Sequence, residues 1–381
     1  MLSQTEDTAM GSDSGTLLRV EKLFVSYSTP SGKVRALNSV SLEVKKGEVL
    51  GIVGETGCGK STLGHSIPRL LPEPPSSIDG GRIIFDGVDL LSVRKKDMPL
   101  YRGTGIAMIF QEPINSLNPA YRIYDQVAEA ISIRKMRENG RNLPSDISPF
   151  NYGHPENNIP SPVRKVLLPS ADVRHSARTG GSAEMKNEVI EFLSTVRIND
   201  PERILRLFPH ELSGGMRQRV MIAMALSERP KLIIADEPTS ALDVTIQAQV
   251  LSLMKDLIRK VNTSILFISH DLGVVAEIAD RIGVMYAGRL VEIGRSEDVF
   301  NNPCHPYTRS LLRSFPHGYK SEGRLPTIKG GVPSLISLPE GCPFNPRCES
   351  CIDECCSKFP EEMDLGNGHL VSCHLYDGGA N

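Results

Sequence analysis

The stretch GETGCGKS, residues 54–61, decides the fold of this chain. It follows the apolar residues 48–53, which we predict to be a buried strand, and it opens a helix that we predict to begin at Lys60. Glycines let backbone N–H groups curl around phosphate oxygens without clashes from a Cβ atom. A glycine-rich turn with a chance lysine is the alternative. The order of strand, loop and helix favours a P-loop that binds the phosphates of a nucleotide.

The side chains of this loop have separate expected roles. Lys60 is expected to reach the β and γ phosphates, and Ser61 is expected to ligate Mg²⁺. We predict that Pro68 ends or bends the helix early. The thiol of Cys58, next to Lys60, is expected to have a lowered pKa and to be open to alkylation. The other residues expected to contact the nucleotide are Gly54, Glu55, Thr56, Gly57, Gly59 and Thr62.

A second motif supplies two acids at the end of an apolar strand. Residues 232–237 read LIIADE, and buried strands rarely end in paired carboxylates without a cation nearby. Asp236 suits Mg²⁺, directly or through water. Glu237 is placed to orient and deprotonate an attacking water molecule. A solvated strand end remains a plausible reading of either acid alone.

A third motif, LSGG at residues 212–215, precedes a helix that we predict to run to about Ser227. Ser213 is a good N-cap residue. Gly214 and Gly215 leave the start of the helix bare, which again suits a phosphate. Taken alone, the motif is equally well explained as a simple capped helix start.

Length and composition limit the classes of function. The chain has 381 residues, enough for one large domain and a smaller one. Its formal net charge is −2 and no strongly basic block occurs, which argues against a dedicated nucleic-acid partner. It contains no run of 18 apolar residues, and its first 15 residues lack the apolar core of a signal peptide. We therefore expect a cytosolic chain that serves a membrane, if at all, by docking onto other subunits.

Alternating strand and helix patterns predict an α/β fold with a mostly parallel sheet whose faces are covered. Helices are predicted over residues 121–132, 185–196 and 247–261, and strands over 82–85, 106–110, 232–235 and 264–268. We expect a disordered tail at 1–16 and a main domain at 17–295, with a helical subdomain at about 112–230. Prolines break the pattern at about 133–184, which we interpret as an irregular insertion. A second, smaller unit is expected at 296–381.

Together these motifs resemble those of the ATP-binding subunits of ABC transporters. The resemblance makes LSGG the signature motif, so Ser213, Gly214 and Gly215 are expected to contact a nucleotide. It also implies roles for four other residues. Tyr27 would stack on adenine, Gln111 in IFQEPINSLNP would contact Mg²⁺ and act in catalysis, Asp243 in SALD would join the loop linking two sites, and His270 in FISHDL would contact the γ-phosphate.

The resemblance implies an ABC-type P-loop nucleotide-binding domain with a mixed β-sheet and a helical subdomain. Two such subunits pair head to tail, and ATP lies between the P-loop of one and the signature of the other. The implied partners are two transmembrane permease subunits and a second ATPase subunit, expected to be a related but distinct chain. An extracytoplasmic substrate-binding protein would act indirectly. The implied location is the cytoplasmic face of the cell membrane, as a peripheral protein.

Two C-terminal segments narrow the resemblance. NNPCHPYTRSLLRSFP at residues 301–316 and GCPFNPRC at 341–348 resemble the C-terminal extension of dipeptide and oligopeptide importer ATPases. That subfamily also includes importers of nickel and of some oligosaccharides. A short peptide is therefore the expected substrate, and nickel or an oligosaccharide is the alternative.

Six of the eight cysteines lie between Cys342 and Cys373. In a cytosolic protein such a cluster indicates metal or redox chemistry rather than disulfides. The resemblance implies a [4Fe–4S] cluster held by Cys342, Cys348, Cys355 and Cys373, with Cys356 as the alternative to Cys355. Four thiolates can equally hold zinc, and a set of small buried residues without metal is the remaining reading.

Two other classes of protein fit the sequence less well. Soluble ABC ATPases of translation usually carry two cassettes, and those of DNA repair carry a long coiled coil between P-loop and signature; this chain shows neither. A redox-sensing regulator built around the cysteines would not need complete catalytic motifs, and here they are complete.

Overall fold

The structure is a computed structural model, and it describes residues 15–111, 116–139, 182–240, 242–314 and 328–377. Most of the expected tail at 1–16, and residues 140–181 of the expected insertion, lie outside the described residues. Thr16, which we expected in the tail, already belongs to the first strand. No helix in the described ranges combines the length and the apolar character needed to cross a bilayer.

Twelve strands form two sheets in the described part of the chain. They are β1 Thr16–Thr29, β2 Gly32–Lys45, β3 Val49–Val53, β4 Ser76–Phe85, β5 Val88–Asp89, β6 Ile106–Ile109, β7 Leu232–Asp236, β8 Ser264–Ile268, β9 Arg281–Tyr286, β10 Arg289–Arg295, β11 Glu362–Asp364 and β12 Leu370–Ser372. A small antiparallel sheet has the order β2-β1-β4-β5. The large sheet has the order β11-β12-β10-β9-β3-β8-β7-β6. It is parallel from β9 to β6 and antiparallel at its other edge, so it is mixed.

Ten α-helices connect these strands in the same described ranges. They are α1 Lys60–Ser66, α2 Ile123–Glu138, α3 Ser182–Thr195, α4 Pro201–Ile204, α5 Gly214–Ser227, α6 Val244–Val261, α7 Leu272–Ile278, α8 Ser296–Asn301, α9 Pro306–Arg313 and α10 Glu354–Ser357. Helix α1 ends just before Pro68, as predicted.

The parallel strands β3, β6, β7 and β8 of the large sheet are buried on both faces, as their sequence pattern predicts. Side chains alternate between two apolar clusters along β8, where Ile265 and Phe267 join one cluster while Leu266 and Ile268 join the other. The first cluster includes helices α2, α3 and α5–α7, and the second includes α1 and the small sheet. Gly51 in β3 marks a close approach, because a Cβ there would lie 2.1 Å from Val275 of α7.

Several predicted boundaries were wrong. Strand β4 begins at Ser76 rather than 82, and α6 begins at Val244 rather than 247. Helix α2 continues to Glu138, past the predicted end at 132, and α3 begins at Ser182 rather than 185. Lys135 of α2 pairs with Glu188 of α3 at 2.6 Å, and Arg134 contacts the same carboxylate. These charged residues look like solvated sequence when read alone, but here they join two helices.

The C-terminal residues are continuous with the large sheet rather than set apart from it. Strand β12 pairs antiparallel with β10, and β11 pairs with β12. Three-residue 3₁₀ turns at Asn345–Arg347 and His374–Tyr376 carry the chain past the cysteines.

Candidate active site

The loop between β3 and α1 is shaped by its glycines. Gly57 and Gly59 have φ of 81° and 103°, a region that side chains disfavour. A Cβ on Gly59 would lie 2.5 Å from the carbonyl oxygen of Ala36, so only glycine fits there. The loop therefore takes the curled form that the sequence predicted.

The side chains of Lys60 and Ser61, at the end of this loop, have different partners. Lys60 is buried, and its Nζ donates to the carbonyl oxygens of Gly54 at 2.7 Å and Glu55 at 3.0 Å. Ser61 Oγ donates to Oδ1 of Asp236 at 3.0 Å. The ammonium group is thus held inside the loop, and the hydroxyl faces the acid at the end of β7.

Asp236 is buried at the end of β7. Burial raises the pKa of its carboxyl, against the attraction of His65, whose Nδ1 lies 3.8 Å away, and the hydrogen bond from Ser61. A buried carboxyl beside a hydroxyl is poorly solvated, so a cation would stabilise its charged form.

Glu237 receives a contact on each of its carboxylate oxygens. Gln111 Nε2 donates to Oε2 at 2.8 Å, and Nδ1 of His270 lies 3.1 Å from Oε1. Gln111 lies two residues after the end of β6, Glu237 directly follows β7, and His270 lies two residues after the end of β8. These parallel strands are neighbours, so their carboxyl ends bring the three side chains together.

One cavity of about 720 Å³ is lined by Lys60, Ser61, Gln111, Glu237 and His270, while buried Asp236 lies behind its wall at the Ser61 hydroxyl. Its polar wall comes from the loop and from Gln111, Glu237 and His270. Tyr27 lies at the same cavity, with its hydroxyl 3.4 Å from Oγ1 of Thr62. The full lining is Tyr27, Val34, Ala36, Thr56, Gly57, Gly59, Lys60, Ser61, Thr62, Gln111, Glu237, Ser240, His270 and Leu335.

The signature residues and Asp243 are placed away from this lining. Ser213 caps α5, since its Oγ accepts from the backbone N–H of Met216 at 3.3 Å. Asp243 Oδ1 accepts from the backbone N–H of Ile246 at 2.9 Å at the start of α6. Within one chain, both motifs act as helix caps.

Three lining residues were missed by sequence reasoning. Val34 and Ala36 come from β2, and Leu335 comes from the C-terminal segment. The carbonyl oxygen of Leu335 accepts from the backbone N–H of Arg35 at 3.0 Å, which holds this segment against β2. No local motif marks such a contact, because the partners are far apart in sequence.

The expectation for Cys58 was wrong. Its side chain is fully buried, and burial raises the pKa of the thiol despite the charge of nearby Lys60. The sequence showed the neighbouring lysine but not the burial, and burial dominates.

The C-terminal cysteines separate into two groups. Cys342, Cys348, Cys355 and Cys373 line one small cavity, whereas Cys351 and Cys356 are exposed. Burial raises the pKa of Cys342 to about 12 and that of Cys373 to about 11.

A further group, Glu292, Cys304 and His369, has its ligand atoms within 4.8 Å of one another. The Glu292 carboxylate already accepts from the backbone N–H groups of Cys304 and His305 at 2.8 and 2.9 Å, and His369 Nε2 lies 2.8 Å from it. This arrangement is a satisfied hydrogen-bond cluster between β10 and the C-terminal segment.

The family model described as "ABC transporter" matches residues 37–240, which include the P-loop and the LSGG motif. The chain belongs to the ABC transporter ATP-binding family. A second model, described as "Oligopeptide/dipeptide transporter, C-terminal region", matches residues 291–355 of this ATP-binding subunit.

Curated relatives match this ATP-binding subunit along nearly its whole length. The dipeptide transport ATP-binding protein DppD of Bacillus subtilis is 41% identical over 95% of each chain. The oligopeptide transport ATP-binding protein OppD of Salmonella typhimurium is 38% identical over 98% of this chain and 97% of its own.

Solved structures agree on the fold. A dimeric bacterial ABC transporter cassette aligns with a TM-score of 0.56 at 22% identity, covering 74% of this chain and 99% of its own. The CbiO1 protein of Clostridium perfringens, part of an ABC transporter complex, aligns with a TM-score of 0.53 at 27% identity, covering 76% and 92%.

Proposed function

We propose that this ATP-binding subunit binds MgATP in the 720 Å³ cavity and hydrolyses it to power an importer of dipeptides or oligopeptides. The observation that carries this proposal is the convergence of Gln111, Glu237 and His270 opposite Lys60 in one cavity. Such a set can hold a triphosphate, a cation and an attacking water molecule together.

The donors present fit Mg²⁺. Ser61 offers a hydroxyl oxygen, Asp236 a carboxylate and Gln111 an amide oxygen, and Mg²⁺ prefers oxygen ligands of this kind. When bound, the cation would neutralise charge that develops on the phosphate oxygens.

The remaining side chains take part in the hydrolytic step. The water oxygen bonds to the γ-phosphorus, the bond from that phosphorus to the bridging oxygen of ADP breaks, and Glu237 takes the proton released by the water. Gln111 and His270 hold the Glu237 carboxylate through its two oxygens, and His270 also faces the γ-phosphate. Lys60 moves from the loop carbonyls to the β and γ phosphates.

A second ATPase subunit completes the site in this proposal. Ser213, Gly214 and Gly215 lie outside the cavity of their own chain, so they can meet the nucleotide of a partner. Asp243 would join the two sites, and Tyr27 would stack on the adenine. The comparison cassette is described as dimeric, which supports pairing, and we favour a related but distinct partner chain.

The membrane partners and the substrate are proposed from the relatives, two of which are named for dipeptide and oligopeptide transport. Two permease subunits would hold this chain at the cytoplasmic face of the membrane, and an extracytoplasmic binding protein would deliver the peptide. A groove of about 80 Å³ beside Gln111, lined by Met108, Phe110, Met221 and Met224 among others, offers apolar surface to the permease.

We also propose that residues 296–381 form an extension that carries a [4Fe–4S] cluster. Cys342, Cys348, Cys355 and Cys373 would hold it, because all four line one cavity, whereas Cys356 is exposed. Cys342, Cys355 and Cys373 are buried and Cys348 is half-buried, and a metal bound among them would stabilise their thiolates. Anaerobic purification with a UV–visible spectrum and iron, sulfide and zinc analysis separates the cluster from zinc and from no metal.

The transport proposal is tested by reconstitution. The chain is co-purified with its permease subunits and partner ATPase, and ATP-dependent uptake of a labelled dipeptide is measured in proteoliposomes. Peptide uptake that is lost with Glu237→Gln supports the proposal. Uptake of nickel or an oligosaccharide in place of peptide would contradict the substrate, and no uptake of any of them would contradict the importer.

A further inference from the structure

One ion pair joins the C-terminal segment to the phosphate loop. Arg347 lies in the turn between Cys342 and Cys348, and its side chain is only 5% exposed. Its Nη1 and Nη2 donate to the two carboxylate oxygens of Glu55 at 2.7 and 3.1 Å. Glu55 is the second residue of the P-loop. Such a bidentate pair fixes both position and orientation.

Other contacts hold the two partners in place. Arg347 Nη1 also donates to the hydroxyl of Tyr286 at 3.1 Å, and Nε donates to the carbonyl oxygen of Lys329 at 2.9 Å. The backbone N–H of Glu55 donates to the hydroxyl of Tyr307 at 2.9 Å. Both the main chain and the side chain of Glu55 are therefore fixed by residues that lie C-terminal to the catalytic motifs.

An aromatic cluster connects the Arg347–Glu55 ion pair to the cysteines. The ring centroids of Tyr286 and Tyr307 are 4.6 Å apart, and Phe344 lies 5.2 Å from the first and 5.4 Å from the second. Phe344 also lines the cavity of Cys342 and Cys348. A structural change in that cavity can therefore reach the phosphate loop through side chains that pack against one another.

The ion pair also changes the net charge that the phosphate loop presents to a nucleotide. A carboxylate within a phosphate-binding loop repels a triphosphate, and the repulsion is stronger at a site partly shielded from water. The guanidinium of Arg347 cancels that charge on the side of Glu55 that faces the C-terminal segment. The hydrogen bonds of the pair also keep the loop in its curled form.

We infer that Arg347 is a positioning residue for the phosphate loop, and that the cysteine-bearing segment sets the affinity for ATP through the Arg347–Glu55 pair. The link to the state of the cysteines rests on the proposed metal centre. The link from Arg347 to the nucleotide does not.

The first test is a double-mutant cycle on the full-length chain, read as the Kd of a fluorescent ATP analogue. Arg347→Met leaves the Glu55 charge uncompensated and is expected to weaken binding about 10-fold, with KM rising more than kcat falls. Glu55→Gln supplies the other single variant of the cycle, and adding it to Arg347→Met should restore most of the affinity that Arg347→Met loses. The penalty of Arg347→Met should shrink as salt is raised.

Arg289→Met is the matched control. Arg289 lies over the ring of Phe359 at 3.8 Å, so it also joins the large sheet to the C-terminal segment, but its partner there is an aromatic ring and not Glu55. Its Kd for the analogue is expected to match that of the wild type. Wild-type affinity in Arg347→Met, at unchanged metal content and melting temperature, would overturn the inference. So would equal losses in Arg347→Met and Arg289→Met.

The second test concerns the cysteines. Metal is removed from the wild type and from the Arg347→Met/Glu55→Gln variant with a chelator, and the Kd is measured again. Weaker binding in the wild type alone supports the coupling, whereas equal changes in both proteins contradict it. If the purified chain holds no metal, the metal proposal fails while the first test still decides the role of Arg347.

Discussion

At the scale of single residues, Glu237 combines an unusual backbone with a fully engaged side chain. Its φ of +45° lies in the left-handed region, which costs a residue with a side chain about 1 kcal/mol. Its backbone N–H donates to the carbonyl oxygen of Ile268 at 2.9 Å, which holds this conformation at the strand end. Strain of this kind is found where a side chain must be aimed at a reacting group.

Glu237→Gln should separate binding from hydrolysis. The amide keeps the size of the side chain but cannot take a proton from water, so phosphate release is expected to fall at least about 100-fold while ATP binding is retained. Malachite-green phosphate release and nucleotide Kd are the two measurements. Asp256→Asn, at an exposed ion pair with Arg197, is the control and should behave as the wild type. Substantial hydrolysis in Glu237→Gln would remove Glu237 from the role of base.

Cys58 should be inert in the folded protein. Its thiol is buried and its pKa is raised by burial, so little thiolate is present at neutral pH. With an alkylating agent followed by peptide mass analysis, we expect Cys58 to react at less than about one-tenth the rate of exposed Cys351 or Cys356. Urea should equalise the rates. Rapid labelling of Cys58 in the native state would show that the loop opens readily.

Prediction at the level of residues succeeded for residues that belong to a short sequence motif. Lys60, Ser61, Asp236 and Glu237 could be placed together because strand, loop and helix order fixes where each side chain goes. Leu335 could not be found in this way. Its contact with the cavity depends on a crossing of the C-terminal segment over β2, which no spacing in the sequence encodes.

At the scale of elements, the end of α5 carries a buried acid. Burial raises the pKa of Glu228 to about 7, and Arg137 offsets this only in part, with 3.9 Å between Nη1 and Oε2. A Cβ on Gly103 would lie 1.7 Å from the same oxygen, so the carboxyl is tightly enclosed. Enclosure of this kind disfavours the charged form.

Glu228→Gln should therefore stabilise the protein in a pH-dependent way. Below about pH 4.5 the carboxyl is protonated in both folded and unfolded chains, and between pH 4.5 and 7 only the unfolded chain loses its proton. The wild type thus loses stability as pH rises to about 7, whereas the variant does not. We expect a gain of about 1–3 kcal/mol at pH 8 and almost none at pH 4.

Thermal or urea unfolding across this pH range measures the gain. Glu202→Gln, at an exposed pair with Lys186, is the control and should show little change at any pH. A gain of the same size at pH 4 and pH 8 would mean that the amide improves packing rather than removing a buried charge.

At the scale of the whole molecule, the C-terminal segment is part of the wall of the 720 Å³ cavity and of the large sheet. We expected a separate smaller unit from the density of prolines, glycines and cysteines. The structure instead pairs β12 with β10 and brings Leu335 to the cavity wall. Composition does not encode strand pairing between distant parts of the chain, because such pairing depends on the assembled sheet.

Leu335→Ala tests this shared wall. The substitution removes apolar surface from the cavity without changing charge, so we expect ATP to bind about 3- to 5-fold more weakly, with a modest change in kcat. Leu335→Met keeps the volume and should bind as the wild type does. Equilibrium binding of the fluorescent ATP analogue is the measurement. Unchanged affinity in Leu335→Ala would place this side chain outside the bound nucleotide.

The Arg347–Glu55 pair also has a consequence for the chain while it is being synthesised. The two residues are separated by 292 positions, so a ribosome that adds about 5–20 residues per second emits the phosphate loop some 15–60 s before its partner. During that interval the loop lacks its neutralising arginine. By the inference above, a nascent or prematurely terminated chain that lacks Arg347 would bind ATP more weakly than the finished chain.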